Sequence, residues 1–290
     1  MTIERKVAST IKEYNLISDG DKVVVALSGG KDSTSVLYIL KKMGYDVEGL
    51  MIDLYLGNWS EIHKKNMIKF CEENNVPLTI VDLKKELGQG ICFIKAVLKK
   101  QKNLTGCTVC GIIKRWILNK WAKKLGADKI VTGHNLDDEA QNVLMNFLKG
   151  NILLGVNSSP ATGGELSSPD MESKVPSSSD KNSDIKRAAF AQRIKPLFFV
   201  AENDIREYAK KKKFEILYDK CPCSFETYRS DTRDWLEGLD DKKKLAIVEN
   251  FQKLVPKLRK ENAKELKICK KCGEPSRGEL CNACKIFACL

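Results

Sequence analysis

Two groups of residues in this chain have types and spacings that could do chemistry. They are its eleven cysteines and the hexapeptide Ser28-Gly29-Gly30-Lys31-Asp32-Ser33. Cys269-x2-Cys272-x8-Cys281-x2-Cys284 offers four thiolates in two knuckles, with Gly273, Pro275 and Gly278 supplying turns between them. Four thiolates suit tetrahedral Zn2+ at ~2.3 Å and leave no coordination position open, so the metal expected there is structural. Cys107, Cys110 and one of Cys221 or Cys223 make a second set. Three thiolates can hold three irons of a [4Fe-4S] cluster and leave the fourth iron open. A persulfide or disulfide relay running from a low-pKa Cys-x2-Cys thiolate satisfies the same residues, and so does a structural zinc. Cys71 and Cys92 lie in apolar helical patterns, where a small buried hydrophobe is the default, and Cys289 stands alone.

The hexapeptide follows an apolar, β-branched run, Val23-Val24-Val25-Ala26-Leu27. It precedes a helical pattern, Thr34-Ser35-Val36-Leu37-Tyr38-Ile39-Leu40. A strand, a tight glycine turn and a helix start are predicted, with Ser33 as the cap. Adjacent glycines let backbone N–H groups turn inward as an anion nest, and the helix N-terminus adds partial positive charge. Such a turn suits phosphate or pyrophosphate. It lacks the spacing of a Walker A loop and of the Gly-x-Gly-x-x-Gly dinucleotide turn. Lys114 lies one turn beyond Cys110, so it projects toward the thiol set. A lysine there can stabilise a developing oxyanion, or be one more basic helix residue beside Arg115. Asp137 and Asp138 open a helix. They can cap it, coordinate Mg2+ or do acid–base work beside a nucleotide. His134 reads as structural within its turn.

The elements that must position these residues alternate. Apolar periodicity predicts helices over 2–17, 33–43, from a Ser60 cap to 74, 90–100, 111–125, from 137 to 149, 201–212, 230–238 and 241–260. Strands are predicted at 23–27, 47–53, 77–81, 129–132 and 193–197, with a short apolar strand over 214–218. Alternating strands and helices imply an α/β fold with a doubly wound parallel sheet. Ligands in such sheets sit beyond the carboxyl ends of the strands, where Ser28–Ser33, Asp53 and the turn from Gly133 to Asp138 all fall. Residues 155–187 are Ser-rich, contain Pro and Gly and no aromatic residue, and read as a flexible loop. The expected organisation is an N-terminal helix (1–20), the α/β domain (21–220), a helical region (221–267) and the small four-cysteine zinc finger (268–290), which is too short to fold without metal.

The formal net charge is +12 and hydrophobic residues make up 42% of the chain. That supports a real core, and no stretch approaches the ~20 apolar residues of a membrane span. Met1-Thr2-Ile3-Glu4-Arg5-Lys6 lacks a signal-peptide core, so a cytoplasmic location and a reducing environment are expected. Basic residues concentrate at Lys242-Lys243-Lys244 and from Lys253 to Lys271, which points to a nucleic-acid partner.

The hexapeptide resembles the Ser-Gly-Gly-x-Asp-Ser signature of the PP-loop ATP pyrophosphatases. Cys107-x2-Cys110-Gly111-x2-Lys114, Gly133-His134-Asn135-Leu136-Asp137-Asp138-Glu139-Ala140-Gln141, Cys221-Pro222 and the four-cysteine finger follow in order. Together they resemble the PP-loop tRNA 2-thiouridine synthetases of the TtuA type. The resemblance implies adenylation of the uracil 2-oxygen of a tRNA uridine by ATP, replacement of that oxygen by sulfur, and release of AMP. It implies phosphate binding by Ser28, Gly29, Gly30, Lys31, Asp32 and Ser33, with Ala26, Leu27, Ile52 and Gly133 around the nucleoside. It implies a [4Fe-4S] cluster on Cys107, Cys110 and Cys221, and catalytic positions at Lys114, Asp137 and Asp138. The implied sulfur donor is sulfide or a ubiquitin-like protein thiocarboxylate, and the implied state is a homodimer. The chain departs from this pattern in two places. It begins at the first helix, without the usual preceding Cys-rich finger, and it carries Cys223, an alternative ligand or a sulfur-handling thiol.

Overall fold

The computed structural model describes every residue except 103–105, 164–190, 220, 224–227, 262–266, 277 and 290. Six strands form one sheet in the order β3-β2-β1-β4-β6-β5. They are β1 (Val23–Leu27), β2 (Val47–Asp53), β3 (Leu78–Asp82), β4 (Lys129–Val131), β5 (Ala161–Thr162) and β6 (Gln192–Ile194). All neighbours are parallel except β5, which runs antiparallel on the β6 edge. β1 is central, and alternate residues serve two cores. Val23, Val25 and Leu27 pack on one face, and Val24 packs on the other. A strand covered on both faces needs a nearly continuous apolar run, and Val23–Leu27 is one.

Helices α1 (Ile3–Glu13), α2 (Lys31–Lys42) and α3 (Asn58–Glu73) cover the first face. Helices α4 (Leu83–Leu87), α5 (Ile91–Lys102) and α6 (Gly106–Lys124) cover the second. A third core gathers α7 (Leu136–Leu148) with α9 (Tyr228–Glu237) and α10 (Asp241–Glu261) around Leu136, Ala140, Phe198, Leu236 and Val248, whereas α8 (Glu202–Lys211), between α7 and α9 in the chain, adds Ile205 and Tyr208 to the first core. The tail forms a two-stranded ribbon, β7 (Lys267–Ile268) and β8 (Pro275–Ser276), followed by α11 (Asn282–Phe287).

Several expectations are corrected. α2 begins at Lys31 and its cap is Gly30, so Ser33 lies inside the first turn and donates its hydroxyl to the Gly30 carbonyl at 3.2 Å. α3 begins at Asn58 after Gly57, and the Ser60 hydroxyl instead accepts the Leu56 N–H at 2.9 Å. α6 begins at Gly106, which places Cys107 and Cys110 inside the helix rather than before it. The 214–218 strand does not form. Phe214 packs edge-on against Phe70 and Tyr38, so its apolar character serves an aromatic cluster and not a sheet edge. α4 has no counterpart among the expected helices, although Asp82 caps it and Gly88 ends it in the left-handed conformation. The Ser-rich segment is ordered at its start. Residues 152–157 form a 3-10 helix and β5 pairs with β6. Residues 164–187 of the expected loop lie outside the described residues.

Candidate active site

The Ser28–Ser33 turn leaves β1 at its carboxyl end and feeds α2. Gly29 has φ +81, and a Cβ there would lie 2.2 Å from His63 Nδ1, so only glycine fits. Ser28 braces the turn. Its N–H donates to Ser33 Oγ at 3.2 Å, and its own Oγ accepts the Gly30 N–H at 3.4 Å. Gly133 follows β4 and meets the same turn, where a Cβ would approach Ser33 N to 2.8 Å. Two strand ends therefore close on the start of α2, as the parallel topology requires.

The next turn locks onto this one. Asn135 caps α7 by accepting the Asp138 N–H at 3.0 Å, and Asp138 returns the bond to Asn135 N–H at 3.4 Å. The Asn135 amide also donates to Asp32 Oδ1 at 3.0 Å. Lys31 lies between Asp32 (3.0 Å) and Glu202 (2.8 Å). Arg233 takes the other Glu202 oxygen at 2.5 Å, and Arg229 pairs with Asp138 at 3.1 Å. Burial alone would lower the Lys31 ammonium, but Asp32 and Glu202 outweigh it and hold it above its ordinary value. Burial also lifts the Asp32 carboxyl, against Lys31 and Asn135, and the nearby Asp138 charge adds to the rise. Both Asp137 oxygens are occupied. One accepts the Glu202 N–H at 2.7 Å and the other accepts Lys244 at 2.6 Å, so Asp137 ties α7 to α8 and α10.

The nucleoside-side positions also lie at strand ends. Leu27 is buried, Ala26 and Ile52 are half-buried, and Ile52 is followed by the buried Asp53, which Lys64 pairs at 2.7 Å. Glu202, Arg229, Arg233 and Lys244 carry no sequence signal of their own. Each comes from a distant helix with no local motif. The same holds for His63. It is buried beside Gly29 and Trp59, and burial holds it below its ordinary pKa against the pull of the Gly29 backbone and the Asp219 charge. Trp59 in turn donates to the Asp219 carbonyl at 3.4 Å. His63 and Trp59 thus span from the phosphate turn to the segment that leads into Cys221.

Cys107 and Cys110 occupy the first turn of α6, and Cys221 and Cys223 lie on a tight turn against it. Cys107 Sγ is 4.0 Å from the Cys223 carbonyl. Burial pushes the Cys110 thiol up, while Lys114 and Lys95 pull the other way. Lys114 therefore points its charge at this set, as its spacing predicts. It makes no ion pair among the described residues. Cys92, on the first turn of α5, lies with its sulfur 4.0 Å from that of Cys223.

The tail quartet differs in geometry. Cys269, Cys272, Cys281 and Cys284 place their sulfurs all within 4.8 Å of one another, with Cys272 and Cys281 at 3.6 Å. Tetrahedral bonds of ~2.3 Å put thiolates roughly 3.8 Å apart, so the quartet fits a single ion. It packs on the α6 face formed by Ile112 and Trp116. Trp116 meets Phe287 edge-on at 4.9 Å, and Asn119 donates to Glu274 at 2.6 Å.

A parallel sheet with a glycine turn at the end of its central strand, closed by a second strand end and braced by lysine and paired carboxylates, defines an α/β domain built to hold a phosphate chain. The chain belongs to the PP-loop domain family, whose model matches residues 1–236. It is 35% identical over 98% of its length to the tRNA-5-methyluridine(54) 2-sulfurtransferase of Pyrococcus horikoshii, covering 84% of that protein. It is 31% identical to the cytoplasmic tRNA 2-thiolation protein 1 of Caenorhabditis briggsae, covering 99% of this chain and 72% of that one. Among solved structures it is similar to the U34-tRNA thiolase NcsA of Methanococcus maripaludis with its [4Fe-4S] cluster. That match has a TM-score of 0.75 and 27% identity, and it covers 99% of this chain and 87% of that one. No helix among the described residues is long and apolar enough to cross a membrane.

Proposed function

We propose that the chain is an ATP-dependent tRNA 2-sulfurtransferase. One observation carries this: the phosphate turn and a three-cysteine set are built into one body, bridged by His63 and Trp59 between Gly29 and Asp219. Activation of an oxygen and delivery of sulfur need that proximity. The names of the relatives support tRNA as the substrate.

In this reading the Ser28–Ser33 N–H groups and the α2 N-terminus hold the ATP phosphates, and Lys31 offsets their charge. Asp32 and Asp138, which now pair with Lys31 and Arg229, would exchange those partners for Mg2+ when ATP binds. Ala26, Leu27, Ile52 and Gly133 border the adenosine. Asp137 positions α7 through Glu202 and Lys244. Lys114, without an ion pair among the described residues, meets the negative charge that grows on the uracil 2-oxygen as AMP forms and leaves. Cys107, Cys110 and Cys221 would hold a [4Fe-4S] cluster. Three thiolates can hold three irons of such a cluster and leave the fourth open. When bound, such a cluster supplies an iron position that sulfide can occupy. The tail quartet takes Zn2+ and presents Lys270, Lys271 and Lys285 to RNA. Sulfide or a ubiquitin-like thiocarboxylate supplies sulfur, and the enzyme works in the cytosol as a homodimer.

The test is anaerobic reconstitution with iron and sulfide, followed by incubation with ATP and unmodified tRNA and nucleoside mass spectrometry. A 2-thiouridine product that depends on ATP is expected. A loaded cluster with no thionucleoside refutes the reading. A non-thiolating ligase of the same fold predicts instead that Cys107→Ala keeps full activity.

A further inference from the structure

Two cysteines in the site have no part in the chemistry above. Cys223 shares a tight turn with Cys221, one residue removed. Cys92 comes from the first turn of α5 and reaches it across the site, Sγ to Sγ 4.0 Å. The two are 131 positions apart in sequence, so the fold alone joins them. Cys92 is exposed and Cys223 half-buried, which leaves the pair open to a partner from solvent. Lys95, one turn beyond Cys92, runs its stem along Gly106 and turns its ammonium into the same space, beside Cys223, Cys221 and Cys110. Two thiols at this distance beside a fixed cation make a site for thiol–disulfide chemistry.

We propose that Cys223 and Cys92 form a sulfane-sulfur acceptor that releases hydrosulfide beside Cys221. The proposal rests on the thiolation reading for its purpose, though not for its chemistry. The donor is a persulfide, R–S–S–H, on a small thiol or a protein. The Cys223 thiolate attacks the outer sulfur of the donor. The donor S–S bond breaks, R–S⁻ leaves, and Cys223 carries the persulfide. The Cys92 thiolate then attacks the sulfur attached to the Cys223 Cβ. That S–S bond breaks, HS⁻ departs with the bonding electron pair, and a Cys92–Cys223 disulfide remains. A dithiol reductant returns both thiols by supplying two electrons. Lys95 lies where the departing anion forms and offsets its charge. The pair thereby converts a bound sulfane sulfur into sulfide at the place where thiolation consumes it.

The test uses the full chain with its metals loaded and glutathione persulfide as the probe, first without tRNA. About one hydrosulfide per chain should appear in the first turnover, with a Cys92–Cys223 disulfide in non-reducing peptide maps. Cys223→Ser should form no persulfide at that turn. Cys92→Ser should hold the persulfide on Cys223 and release sulfide about tenfold more slowly. With tRNA and ATP, both variants should thiolate like the parent when inorganic sulfide is supplied, and about tenfold less when glutathione persulfide is the donor. The proposal is overturned if both variants release sulfide at the parent rate, if the disulfide maps to other cysteines, or if Cys223→Ser loses the iron chromophore, which would make Cys223 a ligand. A parent protein that releases sulfide but never thiolates tRNA refutes the thiolation reading and leaves this one standing. Thiolation with sulfide but no release from persulfide does the reverse.

Discussion

α6 carries two cysteine sites, one at its start and one docked on its flank, and they are built differently. The tail quartet holds its four sulfurs within 4.8 Å of one another, with Cys281 capping α11 through the Cys284 N–H. The site at the start of α6 draws Cys107 and Cys110 from one helix, Cys221 and Cys223 from a turn, and Cys92 from another helix, with one 4.0 Å sulfur pair. Both contain Cys-x2-Cys, so that spacing does not decide what is bound. What decides it is where the remaining thiols come from. Four thiols on one short ribbon and the helix after it lie close enough together for a single ion. Thiols gathered from two helices and a turn are placed by the whole fold and not by one short segment. Lysines mark the same difference. Lys95 and Lys114 face the active-site set, while Lys270 near the quartet pairs outward with Glu279 at 2.7 Å.

The largest expected effect separates the two sites by function. Cys107→Ala should lower tRNA thiolation by about 10³-fold or more, because in the proposed function it removes a ligand and not a contact. ATP-dependent adenylation of tRNA, followed by pyrophosphate release, should stay within about threefold of the parent. Loss of both activities would mean that the thiol set supports the phosphate turn, and the division into activation and delivery would fall.

Lys31→Ala should cost about 10²-fold in pyrophosphate release, the scale of losing one preorganised charge at a developing anion. Iron and zinc content, measured on the same sample, should not change. A variant that loses metal would show that the phosphate turn and the cysteine sites are not independent.

Next is the joint between the finger and α6. Trp116→Ala removes a half-buried ring from between Phe287 and the quartet, and should destabilise the docked tail by about 2 kcal/mol, read from thermal unfolding. Removing the tail metal with a chelator should release the same contact, seen as a change in near-ultraviolet circular dichroism from Trp116. If chelation leaves that signal untouched, the ribbon folds without metal and the contrast between the two sites is weaker than drawn.

What was legible in the sequence follows from which interactions are local. Val23–Leu27, the two glycines and the first turn of α2 are contiguous, so strand, turn and helix could be read directly. The quartet could be read because all four ligands fall within sixteen positions. Glu202, Arg229, Arg233 and Lys244 could not, since their partners lie far away in sequence and ordinary helix surfaces carry the same residue types. Cys92 has the sequence setting of a small buried hydrophobe; the fold exposes it beside Cys223. Ser158 has the setting of a loop residue. It is buried, bonding Glu139 at 2.6 Å, and Glu139 also pairs with the buried Lys195 at 2.7 Å. A segment judged by composition alone conceals such pairs, because one buried partner outweighs many polar neighbours.

The smallest expected effect concerns the bridge between the two halves of the active site. His63 is buried against Gly29, and burial outweighs the Gly29 backbone and the Asp219 charge to hold it below its ordinary pKa, so it is neutral at pH 7. In the unfolded chain its pKa returns to about 6.5. The unfolded state therefore binds the proton first as pH falls. The stability that neutral His63 contributes is complete above that value and is lost as pH drops from it through the depressed folded pKa. The melting temperature should fall over this acid window. His63→Asn should flatten the fall, and the remaining slope belongs to His134 and the carboxylates. If the slope is unchanged, His63 is not the neutral wedge between Gly29 and Trp59. The phosphate turn and the Cys221 segment would then be joined through Trp59 and Asp219 alone.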